Sequence, residues 1–339
     1  MFTDMHAWKQ AQIAAARKQA LPILSFPGAS LLGISVKDLV TSADNQARGM
    51  KAVADRVPAA AAVSMMDLSV EAEAFGARVH VTEDEVPAVT GILVSSLKEA
   101  EALAVPPVGA ARTGLYVAAV EQALYLIADR PVFAGVIGPF SLAARLMGVS
   151  DIMMACYDEP EAVALVLTKA TRFLTDYIKA YQAAGAHGVV IAEPVAGLLS
   201  PALAAEFSSP YVKQIREATA SPRFLVIYHN CSNNVPLMLD AILATGCDGY
   251  HFGDAVDLAA LADRVPGDVL LMGNISPAAQ VSGGSPDSIR EAALGLLHQL
   301  APHHPNFIIS SGCDIPPGSP WANIDAFFDA VTAFYQQQN

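Results

Sequence analysis

The sequence has few charged residues, and basic residues are the scarcer kind. Of its 339 residues, 20 are Lys or Arg and 33 are Asp or Glu, so the net charge is −13. Such an acidic chain lacks the electrostatic surface that binds nucleic acid. Hydrophobic residues make up 53% of the chain and charged residues 16%, which excludes an intrinsically disordered protein.

Long apolar runs are absent as well. No stretch reaches the ~18 uninterrupted apolar residues of a membrane-spanning helix, and the richest segments, such as 224–228, have the length of a strand. The N-terminus carries Asp4 early and has neither the continuous apolar region nor the cleavage site of a secretory signal. We therefore expect a cytoplasmic protein without a membrane partner.

Cysteine is also scarce, because the chain has only 4 cysteines. That number is too small for a disulfide framework in a chain of this length, and cysteines in a reducing compartment more often bind metal or take part in catalysis. Cys156 lies beside a predicted helix start, and Cys247 lies at the amino end of a predicted strand, away from the end where catalytic groups are expected. We expect both of them to be structural.

What the chain does have is a regular alternation of strand-like and helix-like segments from about residue 130 onward. Such a series of βαβ units predicts a parallel sheet with right-handed crossovers. The predicted strands are 131–140, 187–194, 223–230, 247–254, 268–274 and 306–314, with helices between them, including single helices over 158–186 and 201–220.

The N-terminal half is less regular. Residues 60–68 are typical of a strand, 80–94 of an irregular or hairpin insertion, and the first 50 residues of helices with a break at 25–28. Added to the later six strands, these give about eight, so we predict an α/β fold of the (β/α)8 TIM-barrel type with an N-terminal helical extension. No linker divides residues 1–339, which predicts a single domain. The alternative, an open doubly wound sheet, lacks its glycine fingerprint here.

Catalytic groups of a parallel barrel lie at the carboxyl ends of the strands. Several of the predicted strands end at or near a carboxylate, and of these we take Asp67 and Glu193 as catalytic candidates. Glu193 precedes a proline, which favours extended backbone, and it is a candidate metal ligand or acid–base group. For Asp67, a helix cap or a loop salt bridge is an equally good interpretation.

The most specific pattern is His229-x-Cys231, followed by Cys313 at the end of a later strand. In an extended segment, residues two apart share one face, so His229 and Cys231 are expected to point the same way. One imidazole and two thiolates suit zinc, and three protein ligands leave a position open for a substrate. The alternative is that both cysteines are small buried hydrophobes and that His229 is a hydrogen-bonded core residue.

At these residues the chain resembles the uroporphyrinogen decarboxylase superfamily, and within it the corrinoid-dependent methyltransferases. The resemblance covers nearly the whole chain, and the segments at 229–231 and 312–317 are specific to the methyltransferase branch. The segments are MDLSVEAEAFG (66–76), GPFSLA (138–143), IAEP (191–194), HNC (229–231), LMGNISP (271–277) and GCDIPP (312–317).

The resemblance implies that His229, Cys231 and Cys313 bind zinc. It implies a methyl group donated by methylcobalamin or a related corrinoid on a small carrier protein. The acceptor is then a thiol such as coenzyme M, or a folate. Gly138 and Asn274 lie in the matching segments and are expected to bind the corrinoid. No basic residue stands out as a partner for a sulfonate.

The decarboxylase of the same superfamily is the alternative. It needs no metal, and it binds a porphyrinogen with many carboxylates through an arginine-rich segment of the type RQAGR. The equivalent stretch here, residues 24–29, has no arginine, which favours methyl transfer. A non-catalytic zinc or corrinoid protein is a further alternative, although a structural zinc site usually has four Cys or His ligands.

Overall fold

The structure, a computed structural model, describes residues 2–337. Its strands are β1 (Ala62–Val63), β2 (Arg78–His80), β3 (Ala88–Thr90), β4 (Val132–Ile137), β5 (Gly188–Ala192), β6 (Leu225–Asn230), β7 (Gly249–Phe252), β8 (Leu270–Ile275) and β9 (Phe307–Ser311). Its α-helices are α1 (Met5–Ala14), α2 (Gly28–Leu32), α3 (Val36–Val40), α4 (Ala43–Arg56), α5 (Val70–Ala74), α6 (Leu97–Ala102), α7 (Thr113–Leu126), α8 (Pro139–Met147), α9 (Val149–Asp158), α10 (Pro160–Ala184), α11 (Pro201–Phe207), α12 (Ser209–Ala218), α13 (Val235–Leu243), α14 (Leu258–Ala262), α15 (Pro286–Leu300) and α16 (Trp321–Gln336). A 3-10 helix covers Val195–Leu198, and a π-helical turn covers Pro277–Ser282.

Seven strands form one curled parallel sheet in the order β1-β4-β5-β6-β7-β8-β9. The six strands predicted after residue 130 are confirmed, and each pairs with its neighbour in sequence. Nearly all of their residues are buried, because helices cover the outside of the sheet and side chains fill its inside. The fold is α/β and consistent with a TIM-barrel-like architecture.

The large sheet has seven strands in the described residues, and not the eight strands that we predicted. The predicted hairpin is present, but β2 and β3 pair antiparallel in a separate sheet of two strands. Residues 18–25, expected to be helical, are not helical; the chain there hydrogen-bonds to both edges of the large sheet. Leu21 N donates to Ile309 O of β9 at 3.0 Å, and Ala60 N donates to Ala20 O near β1 at 2.8 Å. Pro22 has no N–H, which prevents a regular ladder in this segment.

Two further predictions need correction. The strand predicted over 60–68 has only two residues, so Asp67 lies in the loop after β1. The single helix predicted over 201–220 is divided into α11 and α12 at Ser208. Pro210 explains this break, because it has no N–H for the carbonyl four residues earlier and its ring clashes with that carbonyl, whereas proline is tolerated in the first turn of the new helix.

An inner apolar cluster fills the curled sheet and leaves only one end of it open. Helix α1 covers the amino ends of the strands, where Met5 N donates to Pro222 O and Trp8 packs on Phe133. The carboxyl ends are therefore the accessible end. Strand residues of the inner cluster are Val63, Phe133, Val190, Ala192, Leu225, Ile227, Leu270, Met272 and Ile308. Among the described residues, no helix is both long and apolar enough to cross a membrane.

Candidate metal centre at the carboxyl ends of the strands

The structure brings together the three residues of the predicted zinc set. His229 is near the end of β6, Cys231 follows that strand, and Cys313 follows β9. One ligand atom from each lies within 4.8 Å of the others. Cys313 Sγ is 3.5 Å from His229 Nε2. The His229 side is buried, whereas Cys231 and Cys313 are partly exposed, so the two cysteines are on the accessible side of the group.

The donor set and its spacing suit zinc. Zinc–ligand distances of roughly 2.0–2.3 Å in a tetrahedral arrangement separate two ligand atoms by roughly 3.3–3.8 Å. The observed 3.5 Å between Cys313 Sγ and His229 Nε2 is in that range. Two sulfurs and one imidazole nitrogen form a soft set, which disfavours magnesium or calcium. Among the described residues these three form the group of His, Cys, Asp and Glu that could hold a metal ion.

The two thiols are electrostatically unequal. Hydrogen bonds from Cys313 and His229 lower the pKa of Cys231. The same hydrogen bond, together with burial, raises the pKa of Cys313. One proton held between two neighbouring sulfurs therefore favours the thiolate at Cys231, which is the protonation state that a metal ligand requires.

A chain of hydrogen bonds behind His229 fixes which of its nitrogens faces the thiols. Ser310 Oγ donates to Leu21 O at 2.8 Å, so it accepts from His251 Nε2 at 2.7 Å. Burial and the neighbouring His229 lower the pKa of His251 well below its ordinary value. A neutral His251 that carries its hydrogen on Nε2 has a free lone pair on Nδ1.

His229 Nδ1 lies 2.7 Å from that His251 Nδ1 and 3.2 Å from the His251 carbonyl oxygen. A carbonyl oxygen only accepts, so the hydrogen of His229 is on Nδ1 and its Nε2 lone pair is directed at Cys313. Outer partners of this kind orient metal-binding histidines. Sequence reasoning missed His251 and Ser310. The only signal was a polar residue within each buried strand.

Glu193 is fully buried and caps a helix. Its Oε1 accepts from Phe140 N at 2.8 Å, and its Oε2 accepts from Ser141 N and Ser141 Oγ at 2.9 and 2.7 Å. Burial raises the pKa of Glu193 to about 7. A side chain at Gly138 would have its Cβ 2.2 Å from Glu193 Cγ, so the glycine makes room for this carboxylate. The predicted catalytic role of Glu193 and the predicted corrinoid contact of Gly138 stay predictions.

Asp67 belongs to a hydrogen-bonded network in the loop after β1. Its Oδ2 accepts from Arg112 at 2.5 Å and from Tyr116 Oη at 2.7 Å, and its Oδ1 accepts from Ser69 Oγ at 2.5 Å. Arg112 also contacts Glu73 at 2.6 Å. The geometry agrees with the salt-bridge interpretation of Asp67, and its catalytic role stays a prediction.

The remaining residues of interest have structural contacts. Asn274 Nδ2 donates to Gly253 O at 3.0 Å and to Val256 O at 2.7 Å, which joins the ends of β7 and β8. A Cβ at Gly253 would lie 2.5 Å from Cys231 Cα, so glycine is required beside this ligand. Cys156 lies in the last turn of α9, just ahead of the start of α10, and Cys247 just before β7; both are buried, free thiols, as expected for structural cysteines.

The curled parallel sheet of this α/β fold has its imidazole and two thiols at the carboxyl ends of the strands, which is where enzymes of TIM-barrel-like fold have their active sites. The uroporphyrinogen decarboxylase (URO-D) family model matches residues 15–334, so the chain belongs to this family. The resemblance inferred from the sequence motifs is thereby confirmed.

The curated relatives include a methyltransferase and several uroporphyrinogen decarboxylases. The chain is 26% identical over 274 residues to the methylcobamide:CoM methyltransferase MtbA of Methanosarcina acetivorans, over 78% of this chain and 77% of that protein. It is 27% identical over 295 residues to the uroporphyrinogen decarboxylase of Coxiella burnetii, over 82% of this chain and 78% of that protein. These relatives support an enzyme.

Solved structures show the same fold. A methyltransferase from Methanosarcina mazei superposes with a TM-score of 0.86 at 23% identity, over 98% of this chain and 99% of that chain. A B12-independent methionine synthase from Shewanella sp. W3-18-1 superposes with a TM-score of 0.58 at 11% identity, over 89% of each chain.

Proposed function

We propose that the protein is a zinc-dependent methyltransferase. It moves a methyl group from a methyl-corrinoid, held on a small carrier protein, to a thiol acceptor such as coenzyme M. The observation that carries this proposal is the grouping of His229, Cys231 and Cys313 at the open end of the sheet. The MtbA relative, whose name includes both the methylcobamide and CoM, supports it.

His229 Nε2 and the sulfurs of Cys231 and Cys313 would hold the zinc. When bound there, zinc supplies Lewis acidity that lowers the pKa of an acceptor thiol, so that the sulfur is nucleophilic at neutral pH. The overall reaction forms a carbon–sulfur bond, breaks the cobalt–carbon bond, leaves both of its electrons on cobalt and releases the thiol proton.

The chain itself contributes position. The hydrogen bonds from His229 to His251, and from His251 to Ser310, keep the His229 lone pair directed at the thiols. Glu193, a proposed catalytic group, holds the first turn of α8 beside the open end. We assign Gly138 and Asn274 to the surface that faces the corrinoid. We assign Asp67, which pairs with Arg112, to the outer wall of the open end.

Decarboxylation of a porphyrinogen is the second candidate, because the Coxiella decarboxylase is as similar as MtbA. A polycarboxylate needs several free cations. Residues 24–29 provide none, and Phe26 is buried. Arg112 is paired with Asp67 and Glu73. These observations favour methyl transfer.

One assay separates the two. The protein is mixed with methylcobalamin or a methylated corrinoid protein and with a panel of thiols and folates, and the cobalt spectrum is followed. We expect demethylation that requires the acceptor, stops on zinc chelation, and falls by orders of magnitude in Cys231→Ala, whereas Cys156→Ala is active. Decarboxylation of uroporphyrinogen that is insensitive to chelators would contradict the proposal.

Three further predictions, on barrel closure, domain organisation and cellular location, also stay proposals. We infer that residues 20–23 occupy the eighth strand position and close the barrel, since they hydrogen-bond to both edges of the sheet. We infer a single domain over residues 1–339. The cytoplasmic location expected from the N-terminal residues stays a prediction.

A further inference from the structure

Cys231 and Cys313 differ from the other cysteines of the chain because they are partly exposed and lie side by side. Their sulfur atoms are within 4.8 Å of each other. Cys156 and Cys247 are buried, and neither belongs to this group. Oxidation of cysteine is selective for accessible thiols that have a second thiol beside them. An oxidant in solution should therefore react with Cys231 and Cys313 before it reacts with the other two.

The loop that follows β7 fixes the backbones of the two cysteines relative to each other. A Cβ at Gly253 would lie 2.5 Å from Cys231 Cα, and a Cβ at Gly312 would lie 2.6 Å from Asp254 N. The backbone at Cys231 and the residue just before Cys313 thus pack directly on residues 253 and 254. With both backbones held in this way, the two sulfurs approach each other by rotation of their side chains.

A peroxide can convert two such thiols to a disulfide. In the first step one sulfur attacks a peroxide oxygen, the oxygen–oxygen bond breaks, and a sulfenic acid and one water are formed. In the second step the other sulfur displaces the hydroxyl group, which leaves as a second water with the remaining thiol proton, and the sulfur–sulfur bond forms. The two thiols lose two electrons, and the peroxide accepts them. A disulfide bond is roughly 2.05 Å long, so the sulfurs have to approach by less than about 3 Å.

This disulfide and a bound zinc ion exclude each other. Zinc binds deprotonated cysteine sulfurs, and two sulfurs that are bonded to each other are no longer thiolates. His229 alone would then remain of the three ligands, which is too few to hold zinc. The same two sulfurs therefore have two alternative states, one that binds the metal and one that does not.

We propose that Cys231 and Cys313 form a reversible disulfide on exposure to a peroxide, and that this bond prevents zinc binding until a thiol reductant removes it. The proposal rests on the proposed zinc-dependent function, because it describes how that function is regulated. Disulfides of proteins in reducing compartments are commonly transient and sense the redox state. Exchange with a dithiol reductant restores both thiols and with them the metal site.

Zinc uptake tests this without turnover. Metal-free full chain is divided into a portion treated with hydrogen peroxide and a portion kept reduced, the peroxide is removed, and both portions are titrated with zinc. We expect the reduced portion to bind about one zinc per chain and the treated portion to bind none. Mass spectrometry of peptides should find Cys231 joined to Cys313, and dithiothreitol should restore zinc uptake.

Cys156→Ala is the matched control, because Cys156 is a buried thiol outside the group. It should form the disulfide and lose zinc uptake as wild type does. Cys231→Ser has no partner for Cys313, so peroxide should convert Cys313 to a sulfenic acid or a higher oxide and form no disulfide between strand ends. Circular dichroism checks that each variant is folded. Zinc-loaded wild type should be oxidised more slowly than the metal-free protein, because zinc holds both sulfurs.

The outcomes separate this redox control from the methyltransferase itself. Equal zinc uptake before and after peroxide, or treated protein in which Cys231 and Cys313 are not joined, overturns the redox control and leaves methyl transfer in place. A disulfide that blocks zinc uptake, with no methyl transfer by the reduced and zinc-loaded protein, overturns the methyltransferase and leaves the redox control in place. Reduced protein that takes up no zinc overturns both.

Discussion

Nδ1 of His229 lies 2.7 Å from Nδ1 of His251, and the two residues are directly paired in register across β6 and β7. Because His251 is bound on its other side by Ser310, it is held as an acceptor towards His229. The metal-facing nitrogen of His229 is therefore determined by two side chains that do not contact the metal position. The affinity of this group for zinc should therefore depend on His251 and Ser310, two buried residues inside the sheet.

We expect His251→Ala to weaken zinc binding about ten- to a hundred-fold, because outer partners of metal-binding histidines contribute on that scale. Ser310→Ala, which removes the acceptor that fixes the His251 tautomer, should weaken it less. Tyr250→Phe is the control, since Tyr250 points to the other face and donates to Leu243 O. Competition with a chelator gives the dissociation constants. A dissociation constant in His251→Ala equal to that of Tyr250→Phe would exclude the positioning role.

The four cysteines divide into two pairs with different expected behaviour. Purified protein should contain about one zinc per chain. Cys231→Ala and Cys313→Ala should remove it and remain folded, because these residues lie at the open end and not in the core. Cys156→Ala and Cys247→Ala should keep the zinc, since both residues are buried away from the group. Metal analysis with circular dichroism gives the result; wild type that takes up no zinc would refute the assignment.

The sequence predicted the later strands well because each is a short apolar run between helical segments. It also predicted that residues ending those strands would meet, since parallel strands end at one edge. His229, Cys231 and Cys313 are grouped for this reason. The short β1 was overestimated because its buried neighbours, including Met65 and Met66, are apolar without being in a ladder.

The features that could not be predicted depend on cross-strand register and on the curl of the sheet. His251 faces His229 only because β6 and β7 pair in one particular register. Ser310 joins them from β9 through the curl of the sheet. Residues 20–23 lie between the sheet edges although Pro22 removes the ladder pattern that strand prediction relies on.

Substitution of Glu193 should change the free energy of unfolding of the protein and leave its zinc content unchanged. Its carboxylate accepts three hydrogen bonds from the start of α8. Glu193→Gln places an amide donor against a backbone donor, so we expect a loss of about 1–3 kcal/mol in the free energy of unfolding. Denaturant unfolding measures it, with Glu206→Gln on the exposed face of α11 as control. Loss of zinc in Glu193→Gln would instead favour the ligand role expected from the sequence.

Glu71 gives a pH dependence whose direction can be worked out. Burial raises its pKa to about 8, and its Oε2 is buried without a hydrogen-bond partner in the described structure. The folded state therefore holds a proton that the unfolded state releases above its ordinary pKa. The resulting stability is present below that ordinary pKa and is lost as the pH rises to about 8.

Glu71→Gln has no proton to lose. From pH 5 to pH 8 its free energy of unfolding should rise relative to wild type, by an amount on the order of a few kcal/mol. Urea unfolding at several pH values measures the difference, and Glu121→Gln on the exposed face of α7 should show none. A constant difference between Glu71→Gln and wild type across this range would mean that Glu71 is ionised in the folded protein.

Asp67 and Glu73 bind the same arginine, but their burial differs. The Asp67 side chain is 0% exposed and the Glu73 side chain 27% exposed, while Arg112 lies between them. Asp67→Asn leaves a buried guanidinium short of its main counter-charge, which costs about 3–5 kcal/mol in comparable buried pairs. Glu73→Gln removes a more solvated partner and should cost less than about 1 kcal/mol. Unfolding free energies of the two variants test this order. Suppose instead that Asp67→Asn is as stable as Glu73→Gln but inactive in methyl transfer. Asp67 would then have the catalytic role predicted from its place at the end of a predicted strand, and pairing with Arg112 would not be its main function.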